Sequence, residues 1–512
     1  MIWQRSTPIH SFLFAVFPVL FLYSNNIHIL SINEIIFPLS VVFAGTLLTW
    51  FILQLIIKNK LKSALLVSIF LILSFSYGHV FLLLEDYTIG DFDIGHHRFV
   101  LIPFFVLFSV GSIYLIRTKR KLNNVTTITN AIAITLVIIT LVNIATYYSV
   151  NAYSVDFKQD LENEFPNSNN IKELPNIYFI ILDGYAGTKS LKEVLNFDNQ
   201  DFISFLSKRG FYIPTESYSN YAATFVSIPS LLNMEYVNYL SEEVGAESAD
   251  RRTLYEMINH NKLMKILKSQ GYTTVNFDSG WDATRIIDAA DLNLCGDNEF
   301  LDSELLIMLV RTSILNPIYV KIFESDKIDG LLCIFNELPQ VQYRTSQPVF
   351  VFAHIMLPHP PPVFGSNGEK RTLETLEPGL SSWEDKQGYL DQLKFTNKKI
   401  SEVVDKLLNE SEKPPIIIIQ SDHGSAFLLS DKHWDNPTDQ MIIERMNNIN
   451  FYYLPYNGTK ILYDNVTPVN SFRLIFNFYF NTDFQILEDK IYYQTYDKPY
   501  KFIDVTNIIK KN

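Results

Sequence analysis

The chain has 512 residues, 48% of them hydrophobic, and a formal net charge of −12, so it is too long for one ordinary core. The first 150 residues hold nine Lys/Arg and five Asp/Glu, about +4, which leaves −12 − 4 = −16 for the rest. A basic apolar front and an acidic back read as a membrane anchor joined to a globular domain. No Lys/Arg cluster follows residue 150, which argues against nucleic acid as a partner because phosphate contacts need clustered cations.

Apolar stretches cover 9–25, 35–57, 63–84, 99–116 and 127–149. Most reach the ~20 residues that a helix needs to cross the hydrocarbon layer. The first is the shortest and competes with a cleaved signal peptide, but "FLYSNNIHIL" offers no small-x-small cleavage site. Five spans are therefore expected. The loops "KNKLK" (58–62) and "RTKRK" (117–121) hold three and four basic residues, whereas "EDYTIGDFDIGHHR" (85–98) holds four acids and one arginine. The positive-inside rule places the basic loops and Arg5 in the cytoplasm. Five crossings then put everything after residue 150 on the outer side of the cytoplasmic (inner) membrane. His96 and His97 fall in an outer loop and read as a solvated interfacial pair. The expected division is a transmembrane domain over 1–150, a polar linker over 151–175 and a catalytic domain over 176–512.

From residue 176 the pattern alternates. "NIYFIIL" (176–182), "YTTVNF" (272–277), "PVFVFAHIML" (348–357) and "PPIIIIQ" (414–420) read as strands, the apolar ones buried on both faces. "DFISFLSKRG" (201–210), "RTLYEMINHNKLMKILKSQG" (252–271) and "YLDQLKFTNKKISEVVDKLLN" (389–409) read as helices, the first two closed by glycine. Such alternation predicts an α/β fold with a central, mostly parallel sheet. Ligands in such sheets bind beyond the carboxyl ends of the strands.

Three strands end in acid or imidazole: Asp183 after the first, His354 and His359 around the end of "FVFAHIMLPHP", and Asp422 with His423 after the isoleucine run. Carboxylates and imidazoles together suit a divalent cation, Zn2+ or Mn2+ first and Mg2+ or Ca2+ second. A metal there could activate a bound hydroxyl and neutralise phosphoryl oxygens. Thr224, at the start of "TFVSIPSLLNM", supplies a hydroxyl where a helix could begin and anionic charge is favoured. Its plainer reading is a helix N-cap.

"FIILDGY", "TFVSIPSLLNM", "HIMLPHPP" and "SDHG", in this order and with Asp183 and Thr224 41 positions apart, resemble the alkaline phosphatase/sulfatase superfamily. Five spans before an outer sulfatase-like domain are similar to lipoteichoic acid synthases and phosphoethanolamine transferases. The resemblance implies a sulfatase-like α/β domain over about 175–480. It implies metal ligation by Asp183, Thr224, Asp422 and His423, with Thr224 as nucleophile. It also implies that His354 and His359 touch the transferred group or the leaving oxygen, with His433 a weaker candidate. Sulfatases need Cys or Ser, converted to formylglycine in a C/S-x-P-x-R frame. Threonine cannot undergo that conversion, and no arginine follows it here.

The function expected is metal-dependent phosphotransfer or phosphodiester cleavage on lipid headgroups or envelope glycans at the membrane. Hydrolysis of soluble phosphate or sulfate esters, and binding without catalysis, are the alternatives. "FDSGWDATRIIDAADLN" (277–293) reads either as pocket wall, through Asp278, Trp281 and Asp282, or as surface loop. "TPVNSFRLIFNFYF" reads as a buried helix with Phe472, Ile475, Phe476 and Phe478 in the core and Arg473 paired with an acid. Cys295 and Cys333 read either as a pair, if the domain lies outside the cytoplasm, or as two unpaired buried thiols.

Overall fold

The computed structural model describes residues 7–84, 88–89, 92–93, 96–150, 174–296, 303–371, 383–429 and 434–511. The expected linker, from 151 to 173, lies outside them, as does His433. The chain forms two compact units: residues 1–153 with 298–325, and residues 154–297 with 326–512.

The first unit is helical. Its helices over residues 7–150 are α1 (His10–Asn25), α2 (Ile36–Ile57), α3 (Lys60–Leu84), α4 (His97–Arg117) and α5 (Asn123–Val150). Among the described residues, α2 to α5 are long and apolar enough to cross a membrane. The expected first span is a shorter helix of 16 residues, below the usual crossing length. It packs against α2, α3 and α5, with Ala15, Val19 and Tyr23 buried. Large apolar side chains such as Ile56, Phe105 and Val110 are exposed on the other helices, as lipid-facing residues are. His97 opens α4 in contact with its neighbours rather than simply solvated. Its Nδ1 lies 2.8 Å from Tyr77 Oη, and its ring stacks 3.9 Å from Phe81.

The second unit is built on a sheet that has six strands among the described residues: β1 (Ile177–Leu182), β2 (Thr273–Phe277), β3 (Leu292–Leu294), β4 (Val349–Ile355), β5 (Ile416–Gln420) and β6 (Asn450–Tyr453). Their order is β3-β2-β4-β1-β5-β6, and only the β5–β6 pair is antiparallel. The α/β fold with a mostly parallel sheet is thus as expected. Continuous apolar runs form these strands because both faces are covered. Tyr178, Ile180, Leu182, Val351, Ala353, Ile417 and Ile419 enter one core. Ile177, Phe179, Ile181, Phe350, Phe352, Ile416 and Ile418 enter the other, which is the two-residue period of a strand.

Local departures have physical reasons. The expected helix over 252–271 is two helices, Arg252–Asn259 and Lys262–Ser269. Asn261 breaks it and caps the second piece by accepting from the Met264 N–H at 2.8 Å, an exchange that satisfies an otherwise orphaned donor. In the helix Pro468–Tyr479, Phe472, Ile475 and Phe476 are buried but Phe478 is exposed. Arg473 donates to the carbonyls of Met234 (2.6 Å) and Gln485 (2.8 Å). Cys295 and Cys333 form a disulfide.

Candidate metal and nucleophile site

Parallel register sets the site. Leu182 of β1 pairs with Ile355 of β4, and Ile181 with Gln420 of β5, so three adjacent strands end side by side. Asp183 follows β1, with its N–H donating to the Ile355 carbonyl at 2.9 Å. His354 is the penultimate residue of β4. Asp422 and His423 lie just past β5.

All four of these side chains are buried. His423 Nε2 lies 3.3 Å from Asp422 Oδ2 and 3.6 Å from Asp183 Oδ1, and His354 Nε2 lies 3.4 Å from Asp183 Oδ2. Donor atoms of Asp183, His354 and Asp422 fall within 4.8 Å of one another, as do those of Asp183, His359 and His423. Asp183 Oδ1, Asp422 Oδ2 and His354 Nε2 are buried without a hydrogen-bond partner. Buried polar atoms are ordinarily paired, and buried carboxylates especially so. Three such atoms converging on one another fit a divalent cation, both by chemistry and by the need for charge compensation.

Electrostatics separate the two carboxylates. Burial acts to raise Asp183, but His359, His354 and His423 outweigh it and hold the group below the ordinary carboxylate range. Asp422 is pushed up to about 7, first by burial and then by the charge of Asp183. Burial, then Arg445, holds His423 well below its ordinary value, so its imidazole is neutral. Its Nδ1 lies 2.9 Å from the Gly424 carbonyl. That contact puts the proton on Nδ1 and leaves the Nε2 lone pair facing the site.

Thr224 is the first residue of the helix Thr224–Asn233, and Ala223 is its N-cap. Thr224 therefore does not cap the helix. Its Oγ1 lies 3.1 Å from His423 Nε2. It is half-buried, unlike the four residues behind it. His359 is also half-buried and forms T-shaped contacts with Trp383 (5.1 Å) and His423 (6.1 Å). His354, expected beside the leaving oxygen, lies deeper. Its Nδ1 is 2.9 Å from Thr284 Oγ1, which is 2.7 Å from Ser279 Oγ. Trp281 meets the His354 ring edge-on at 5.7 Å, while Asp278 lies 4.0 Å from Arg285 and Asp282 opens a short helix. The 277–293 stretch thus bears on the site through Ser279, Trp281 and Thr284.

Positioning groups absent from the sequence reading surround these residues. Arg445, fully buried, donates to the Ala222 carbonyl at 2.6 Å and the Gly424 carbonyl at 3.3 Å. One side chain thereby ties the loop before Thr224 to the turn carrying His423. Glu444 accepts from Ser425 Oγ and from the N–H groups of Phe427 and Leu428. Tyr389 Oη donates to the Gly184 carbonyl, and Asp422 Oδ1 accepts from the Gly184 N–H at 3.1 Å. Basic and acidic residues far along the chain carry no local signal of such roles.

A family model described as Sulfatase matches residues 175–444, more than half of the chain. The chain belongs to the sulfatase family. No curated protein matches it. Among solved structures, this sulfatase-family chain is similar to the C-terminal periplasmic domain of EcEptC from Escherichia coli, at 13% identity over 65% of this chain and 94% of that one, TM-score 0.39. It is likewise similar to the same domain of the phosphoethanolamine transferase EptC from Campylobacter jejuni (15% identity, 63% and 94% covered, TM-score 0.38). A third is BT1596, a 2-O GAG sulfatase (12% identity, 61% and 72% covered, TM-score 0.39). Sulfatase-family membership supports transfer or hydrolysis of a phosphate or sulfate ester.

Proposed function

We propose that this sulfatase-family protein is a membrane-anchored, metal-dependent phosphotransferase or phosphodiesterase that uses Thr224 as nucleophile on a lipid headgroup or envelope glycan at the outer face of the membrane. The observation that carries the reading is the half-buried Thr224 hydroxyl, 3.1 Å from the bare Nε2 of a neutral His423 and in front of two buried carboxylates. Threonine in the nucleophile position favours phosphoryl over sulfuryl chemistry, because it cannot become formylglycine.

Asp183, His354, Asp422 and His423 would hold a divalent cation, which supplies charge neutralisation for phosphoryl oxygens and a lowered hydroxyl pKa. Thr224 Oγ1 gives up its proton toward Asp422 and forms a bond to phosphorus as the bond from phosphorus to the departing oxygen breaks. The helix start behind Thr224 favours the developing negative charge. His359 lies at the rim. Its Nδ1 donates to the Pro360 carbonyl at 2.5 Å, and in the imidazolium form its other ring nitrogen donates a proton to the departing oxygen. An acceptor alcohol or water then attacks phosphorus, and the bond to Thr224 breaks. The disulfide is consistent with a compartment outside the cytoplasm.

The test is digestion and mass spectrometry of the Thr224 peptide after incubating the full chain in membranes with divalent metal and total lipid. Thr224→Ala and Asp422→Asn serve as controls. A metal-dependent adduct on Thr224 is expected, and its mass identifies the group carried. An adduct that persists in Asp422→Asn, or activity that survives in Thr224→Ala, overturns the reading.

A further inference from the structure

Part of the sulfatase match does not stay with the sheet. Residues 298–325 belong to the same compact unit as residues 1–153. The chain leaves after Cys295 and returns before Cys333, and the disulfide closes the base of the excursion.

The helix Glu304–Arg311 buries Leu305 and Leu309 in one apolar cluster with Val19, Leu22, Tyr23, Ile27 and Leu30. Ser303 Oγ donates to Glu34 Oε2 at 3.3 Å. The Gly78 N–H donates to the Thr312 carbonyl at 3.0 Å. A Cβ on Gly78 would lie 2.4 Å from both the Arg311 carbonyl oxygen and Thr312 Cα, so glycine is what lets the two backbones touch. These contacts share a location. They engage the ends of α1 and α3 remote from the basic loops 58–62 and 117–121. The same cluster takes in Ile144, Tyr147 and Tyr148, near the end of α5 from which the chain continues toward the sulfatase domain.

Beyond the helix, Leu315 and Ile318 are exposed, and no charged residue occurs between Arg311 and Lys321. Uncharged, exposed apolar residues beside the ends of membrane spans suit the boundary between headgroups and acyl chains.

We propose that residues 303–319 form a second membrane attachment of the sulfatase domain, independent of the 151–175 linker. Leu305 and Leu309 dock it on the outward ends of α1 and α3, and Leu315 and Ile318 enter the outer lipid leaflet. The excursion then fastens the catalytic domain to the membrane at two points in the sequence. Because the attachment is read by partition, its test does not depend on any catalytic role.

The experiment places a specific protease site within 158–166 of the full chain, expressed in membranes. After complete cleavage and an alkaline carbonate wash, the fragment carrying residues 167–512 is expected in the pellet. Two fully buried leucines are expected to shift partition roughly a hundredfold toward it. In the same cleavable chain, Leu305→Asp with Leu309→Asp should release the fragment in soluble, protease-resistant form. Gly78→Leu, which disturbs the contact from the bundle side and leaves the sulfatase domain untouched, should release it too. Release of the unmutated fragment overturns the proposal, and so does its retention in both variants.

Discussion

Asp422→Asn offers a test of the buried carboxylate pair that needs no substrate. In the metal-free protein Asp422 is raised from 3.8 to about 7 by burial and by Asp183. A raised carboxyl holds its proton more tightly folded than unfolded. It therefore contributes stability below its unfolded value, and that stability is lost as pH rises through about 7. The difference of about three pK units corresponds to a penalty of about 4 kcal/mol at pH 8 relative to pH 4. Asparagine carries no charge, keeps an oxygen for the Gly184 N–H and removes the penalty. For a unit of about 330 residues, unfolding entropy is ~0.7 kcal/mol per degree, so 4 kcal/mol is about 6 °C. The assay is thermal unfolding of the full chain in detergent with chelator, from pH 5 to pH 8. Asp422→Asn is expected to melt about 6 °C above the unmutated protein at pH 8 and only about 2 °C above it at pH 5. Asp183 contributes a slope of opposite sign at far lower pH, outside this window. Equal melting at pH 8, or a variant that melts lower, refutes the claim that two uncompensated carboxyls face each other there.

The remaining predictions address the metal, the turn and the bridge. Zn2+ or Mn2+ at a hundredfold excess over its Kd should stabilise the unmutated protein by about 2.7 kcal/mol, or about 4 °C, and leave Asp183→Asn unmoved; thermal scans with and without chelator check this. Gly424→Ala puts a Cβ 2.3 Å from the Asn447 carbonyl oxygen and 2.4 Å from that of Glu444. It should displace His423 and weaken metal binding by roughly tenfold or more, read by competition with a chromophoric chelator. Thr224→Ser should keep activity toward an aryl phosphodiester within about tenfold, while Thr224→Ala should lose ~1000-fold or more. Cys295→Ser opens a bridge spanning 38 positions; loop-closure entropy puts the loss at about 4 kcal/mol, measured by denaturant unfolding.

The sheet was legible because its strands are buried on both faces. Continuous runs such as Ile416–Ile419 leave few alternatives to a central strand, and their polar successors fall at the carboxyl edge. That is why Asp183, His354, Asp422 and His423 could be grouped from sequence, and the β1–β4 and β1–β5 registers do bring them together. Where periodicity was followed too far, one residue decided. Phe478 lies six positions after Phe472, about 240° around a helix, and so leaves the face that Phe472, Ile475 and Phe476 share. Asn261 lies within a good amphipathic pattern, yet its side chain caps a new helix there.

What stayed illegible is the support behind the site, and its physics explains why. Two buried carboxylates facing each other repel, and removing them from water is costly. The fold holds them with groups whose roles depend on distant partners. Arg445 reaches the Ala222 and Gly424 carbonyls from 223 and 21 positions away. Burial first, and then its positive charge, keep His423 neutral, which leaves the Nε2 lone pair directed at Thr224. The same guanidinium thus ties down the nucleophile loop and adds to the effect of burial on the imidazole facing it. Thr284 and Ser279 hold His354 from the opposite side of the site. Strand ends determine which acids and imidazoles can meet. The residues that make their meeting tolerable lie on other elements, and only the folded chain brings them together.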